Sequence, residues 1–225
     1  MRRSILAVLP FVAAASCAHA PAPTPRAPAP PTPRDARVPV GWPGPEPMPA
    51  QALPRVAIVI DDVGQSFESV EPFVALPLSL SFAVLPFLDR APEVARDLAA
   101  LGRDVLVHVP MEPCDPATID GPGFLRAGMD ASTLAATLTG HLDRVPCAVG
   151  ANNHMGSRLT TDRAAMHAVL AVLAQRNLFV LDSRTTADTV LLDVATKAGV
   201  PAMRRHVFLD DDPAPAAVRE QVDEL

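Results

Sequence analysis

The sequence predicts an α/β fold built on a parallel sheet or barrel. Three observations carry this. From Arg55 onward, short β-branched apolar runs alternate with amphipathic stretches of helical length; capping or breaking residues bound the helical stretches; and polar residues capable of chemistry recur where the apolar runs end. Such alternation implies right-handed crossovers between consecutive strands. No internal sequence repeat is visible.

The elements follow in order. Val56 to Ile60, apolar and mostly β-branched, read as a strand buried on both faces that ends in the paired carboxylates Asp61 and Asp62. Neighbours on an extended chain point to opposite sides, so the two carboxylates are expected to face different partners. The pair also reads as a turn, with Asp62 capping a helix and Gly64 relaxing the backbone. Leu78 to Leu85 is a second strand, Ala91 to Leu101 a helix ended by Gly102, and Asp104 to Val109 a third strand. Ser132 is read as the cap of a helix through Leu142, and Ala148 to Gly150 as a short strand leading into Asn152, Asn153 and His154. Asp162 caps Arg163 to Gln175, and Leu178 to Leu181 is a strand ending in Asp182-Ser183-Arg184. Thr186 opens a helix to Lys197, stopped by Gly199; Pro201 to Phe208 extends toward Asp210, and Pro213 to Leu225 reads as a short amphipathic helix.

The residues before Arg55 have a different character. Residues 1–20 combine Arg2 and Arg3 with an apolar run from Ile5 to Ala15, the pattern of a secretory leader and too short for a membrane span. Ala14-Ala15-Ser16-Cys17 resembles a lipobox, which would make Cys17 the lipidated first residue; cleavage after Ala20 is the rival. Residues 21–54 hold 13 of the 26 prolines and no periodic apolar pattern, so they read as an extended tether between a membrane and the domain at 55–225.

Composition sets limits on the partners. Apolar residues make up 49% of the chain and aromatics 4%, so a core must be filled by Ala, Val and Leu with a few Phe. From Arg55 onward there are 14 basic and 23 acidic residues, a net charge of −9 that argues against nucleic acid as a partner. Cys114 and Cys147 fit either a disulfide or two buried thiols.

Candidate chemistry gathers at strand ends. Asp61, Asp62, His108, Glu112, His154, Asp182, Arg184 and Asp210 all follow or finish apolar runs, and a parallel α/β barrel brings such positions to one face. Histidine and carboxylate donors suit Zn²⁺ or a similar divalent ion. Singly, each has an ordinary reading: a core histidine for His108, a loop carboxylate for Glu112, a helix-end ion pair for Arg184. His141 and His167 fall inside helical patterns and read as surface residues; His206 lies close to the last strand.

Five segments, taken together, resemble the divergent polysaccharide deacetylases of bacterial envelopes. They are Ala57 to Gly64, His108 to Pro113, Gly150 to Arg158, Leu181 to Thr186 and Val207 to Asp211. The resemblance implies an irregular (β/α) barrel, incomplete at its carboxyl end because relatives continue with a further strand and helix carrying a Gly-His-Pro segment. It also implies hydrolysis of N-acetyl groups on an envelope glycan, a polysaccharide or peptidoglycan, with a divalent metal, Zn²⁺ foremost. By that likeness Asp61 is the proton-transferring carboxylate and Asp62 a metal ligand. His108 opens the family's His-x-x-x-His motif, while Glu112 stands where its second His would be. His154 is the candidate for the missing imidazole. Asp182 and Arg184 join Asp61 as catalytic candidates, with Arg184 anchoring Asp61 or a sugar; Glu112, Asn153 and Asp210 are expected to touch substrate. The alternative is a catalytically inactive glycan-binding or envelope-assembly protein on the same fold.

Overall fold

A computed structural model describes residues 55–225; the leader, Cys17 and the Pro-rich tether lie outside the described residues. Strands β1 (Ile58–Val63), β2 (Leu80–Val84), β3 (Asp104–Met111), β4 (Gly150–Met155), β5 (Phe179–Asp182) and β6 (Ala202–Arg204) lie side by side in chain order. Every neighbouring pair is parallel. The helices are α1 (Glu71–Val74), α2 (Ala91–Ala100), α3 (Ala131–Arg144), α4 (Arg163–Gln175), α5 (Leu191–Ala198) and α6 (Pro215–Asp223). Because each strand is added on the same side of the last, right-handed crossovers put the connecting helices on one face of the sheet. Accordingly α4 packs against both α3 and α5. The strands follow one another as in a barrel wound in one direction, with no ladder between β1 and β6 among the described residues.

Strand parity decides which residues face the helices. Val105, Val107, Val109 and Met111 of β3 join Phe82 and Val84 of β2, Ala151 of β4 and Val180 of β5 in one apolar cluster with Leu98, Leu138, Leu170 and Val194 of the helices. Burying each large side chain contributes about 1.5–3 kcal/mol. His108, Asn152 and His154 have the opposite parity, so they point to the other face, where the candidate site lies.

Several expectations change. β1 is an outer strand and Ile58 to Ile60 are only half-buried, because β2 covers one edge alone. The cap of α3 is Asp130, whose carboxylate accepts from Thr133 N–H at 2.8 Å and from the Ser132 hydroxyl. β4 runs on through Asn152, Asn153 and His154, which are strand residues because they pair with His108, Val109 and Pro110 of β3. Helix α5 starts at Leu191; Thr186 instead closes a local turn by accepting from Asp188 N–H. His141 is buried against the loop at Gly123, where a Cβ would lie 2.9 Å from the imidazole Nε2. Both described cysteines are free thiols, Cys114 exposed and Cys147 partly so.

Candidate metal centre

The paired carboxylates end up on the same side of the sheet. Ile60 and Val63 both pack on the helix side, leaving two residues where regular alternation allows one, and the β1–β2 register breaks between them. Asp62 absorbs the extra residue with φ 58°, a left-handed conformation that aspartate tolerates better than β-branched residues do. Asp61 and Asp62 therefore meet the same imidazole from its two ends, contrary to the expectation of different partners. Asp62 Oδ1 is 3.3 Å from His108 Nε2 and 3.0 Å from His154 Nδ1, and Asp61 Oδ1 is 3.9 Å from His108 Nδ1.

Asn152 ties this arrangement together. Its carbonyl oxygen lies 2.8 Å from His108 Nδ1, which assigns a proton to Nδ1 and makes Nε2, on the side of Asp62, the atom that would face a metal. Its amide nitrogen donates to Asp61 Oδ1 at 2.8 Å. On the other imidazole, Nδ1 faces Asp62 and Nε2 lies 3.2 Å from Asp120 Oδ1. One donor atom each from Asp62, His108 and His154 falls within 4.8 Å of the others. Two imidazoles and a carboxylate with further positions open suit Zn²⁺, so the residues present fit the metal that the sequence implies.

The electrostatics of the metal-free site follow from the same contacts. Hydrogen bonds to His108 and His154 hold the Asp62 carboxyl well below the usual carboxylate range, despite partial burial. Burial alone would depress His154, but its bonds to Asp62 and Asp120 and their charges outweigh this and raise its pKa. Without a cation, the two histidines are what stabilise the Asp62 charge.

The sequence model of the divergent polysaccharide deacetylases matches residues 58–225. The chain belongs to the divergent polysaccharide deacetylase family. It is 36% identical to an uncharacterized protein of Haemophilus influenzae, over 76% of this chain and 60% of that protein. It is likewise 36% identical to the uncharacterized protein YibQ of Escherichia coli, over 74% of this chain and 52% of that one. The chain thus spans little more than half the length of these curated relatives. In fold it resembles the crystal structure of an uncharacterized Agrobacterium tumefaciens protein, with TM-score 0.71 and 24% identity, over 76% of this chain and 70% of that chain.

Other residues expected in the deacetylase site sit elsewhere. Glu112, at the position of the family motif's second His, is turned away: Oε2 accepts from Ala127 N–H at 2.6 Å and Oε1 lies 3.6 Å from Arg158. Asn153 and Asp182 share parity with the helix-facing residues Ala151 and Val180. Both ends of the Asn153 amide are engaged, by Met155 O at 2.6 Å and Ser183 N–H at 2.8 Å, which corrects its expected substrate contact. Asp182 is 1% exposed and its two oxygens accept from Arg184 N–H and Thr189 Oγ1, both at 2.8 Å. It braces the turn after β5. Arg184 and Asp210 have exposed side chains, and no hydrogen bond joins Arg184 to Asp61 among the described residues. Arg205 also approaches this end of the sheet. Its guanidinium donates to Ser183 O at 2.7 Å and Arg184 O at 3.1 Å and lies close enough to Asp61 and Asp182 to feel their charges. Sequence reasoning passed over Asn152, Asp120 and Arg205. Only Asn152 carried a signal, being two residues from His154 on one strand.

Proposed function

We propose that this protein is a metal-dependent N-deacetylase acting on an envelope glycan, a polysaccharide or peptidoglycan. The observation that carries the reading is the convergence of Asp62, His108 and His154 beside Asp61, in a chain of a family named for deacetylation. A divalent ion such as Zn²⁺ held by Asp62, His108 Nε2 and His154 Nδ1 would supply Lewis acidity and a lowered pKa for water. Asp61 is the base: its side chain is 37% exposed, so it meets solvent, and the Asn152 amide fixes one oxygen while the other is free to accept a proton. Asn152 also holds His108 in the tautomer that presents Nε2. Arg205 places positive charge near Asp61, and Arg184 is exposed at the rim, where it can reach a sugar.

Purified protein supplied with Zn²⁺ is expected to retain about one equivalent and to release acetate from N-acetylated oligosaccharides. Asp62→Ala and His154→Ala should abolish retention, whereas Asp61→Ala should keep the metal and lose roughly 10²–10⁴-fold in acetate release. Equal loss of metal in all three would mean the roles are misassigned. A protein that takes up no metal and releases no acetate would be the inactive glycan-binding or envelope-assembly protein.

The leader and tether support a place in the periplasm or cell envelope, anchored through lipid on Cys17 or through the leader itself. Mass spectrometry of the mature amino terminus tests this. An unmodified terminus beyond Cys17 rules lipidation out.

A further inference from the structure

The connection between β3 and α3 lays one carboxylate, Asp120, against the back of His154. Asp120 is half-exposed, and a surface carboxylate near a histidine ordinarily means little. Here the segment on either side of it is fixed. Gly121 lies so close to the Phe87 ring that a Cβ would sit 2.7 Å from Cζ, which ties the backbone next to Asp120 to the β2–α2 loop. That loop is itself held by Arg144 of α3, which donates to Pro86 O and Leu88 O. Phe124, 3% exposed, meets the His154 ring edge-on at 6.0 Å, while His108 meets it at 5.0 Å. Beyond Phe124, Leu125 N–H donates to Pro110 O at 2.9 Å, Glu112 N–H to Leu125 O at 2.8 Å, and Ala127 N–H to the Glu112 carboxylate at 2.6 Å.

We propose that Asp120 is a positioning residue that accepts the Nε2 proton of His154 and turns Nδ1 toward Asp62, and that Glu112 anchors the loop that delivers it. The inference rests on the metal-centre reading. A carboxylate behind a ligating imidazole fixes its tautomer and orientation and typically changes metal affinity 10–100-fold. Glu112 would thereby contribute to the centre by building its wall instead of by ligation.

The test is Zn²⁺ or Co²⁺ affinity by competition titration of the full chain, with the metal-free melting temperature measured in parallel. Asp120→Ala is expected to weaken affinity about 10–100-fold and to leave the metal-free protein cooperatively folded, with only a small fall in melting temperature. Asp120→Asn, which keeps a carbonyl acceptor, should recover part of the loss. Ring-nitrogen chemical shifts of metal-free protein supply a second reading: Asp120→Ala should move the His154 signals and leave those of His141 in place. Unchanged affinity in Asp120→Ala, or unchanged His154 shifts, would overturn the proposal. Absence of metal uptake by the unsubstituted protein would instead remove the metal-centre reading and the affinity half of this one. The His154 shifts, read without metal, would then decide the orienting half alone.

Discussion

His141 shows how a single side chain escapes a pattern. It sits on α3 at a spacing that suggests solvent, yet it is 8% exposed and its Nδ1 has no hydrogen-bond partner among the described residues. Burial pushes its pKa down from the ordinary 6.5 to about 4. The unfolded chain therefore binds the proton more readily than the fold does, and stability falls as pH drops from about 6.5 toward 4. Between pH 7.5 and 5 the loss from this group is roughly 2 kcal/mol. Unfolding free energies from urea titration of the unsubstituted protein should fall by that amount relative to His141→Leu, and equal pH slopes would show that the imidazole is not buried neutral. Asp62 and His154 have the reverse relation in the metal-free protein. The lowered Asp62 pKa adds stability that is present above 3.8 and lost as pH falls further, while the raised His154 pKa adds stability that is present below 6.5 and lost as pH rises.

Caps and turns decide where each element begins. Asp162 accepts from Ala164 N–H at 2.9 Å and Ala165 N–H at 3.1 Å, satisfying two of the donors that α4 leaves open. Asp162→Ala should cost about 1 kcal/mol, read from the thermal or urea midpoint, without affecting metal retention. The bulge in β1 works the other way, because it stabilises no helix and instead brings two carboxylates to one face. The turn at Gly121 behaves similarly. Gly121→Val should force Phe87 and the Asp120 segment apart, costing about 1–3 kcal/mol by overpacking and weakening Zn²⁺ retention along with stability. Metal affinity unchanged in that variant would show that the loop tolerates displacement.

A metal held at the proposed site would be thermodynamically linked to folding. A ligand that binds only the native state stabilises it by about 2.7 kcal/mol at 100 times its Kd, which for a domain of this size raises the melting temperature by roughly 5–10 °C. Scanning calorimetry with Zn²⁺ should show that rise, and a chelator should reverse it. No shift in either direction would count against a native metal site. No helix among the described residues is long and apolar enough to cross a membrane, so attachment to one rests on residues 1–54.

Local chemistry in the sequence was enough to set the alternation of strands and helices, the cap at Asp162, the stop at Gly199 and the presence of chemically capable residues at strand ends. Those features depend on residues close in sequence, so they can be read along the chain. Tertiary structure alone decided which strand-end residues face the site. Asn152 and His154 lie on one side of β4 and Asn153 on the other, and a one-residue bulge at Asp62 reverses the parity of a carboxylate. It also decided that Glu112 anchors a loop, that Asp182 braces a turn, and that Asp120, 34 residues from His154, becomes its neighbour. Side-chain direction in a strand has period two, so one residue of register changes the face, and register is fixed by pairing and packing across the sheet.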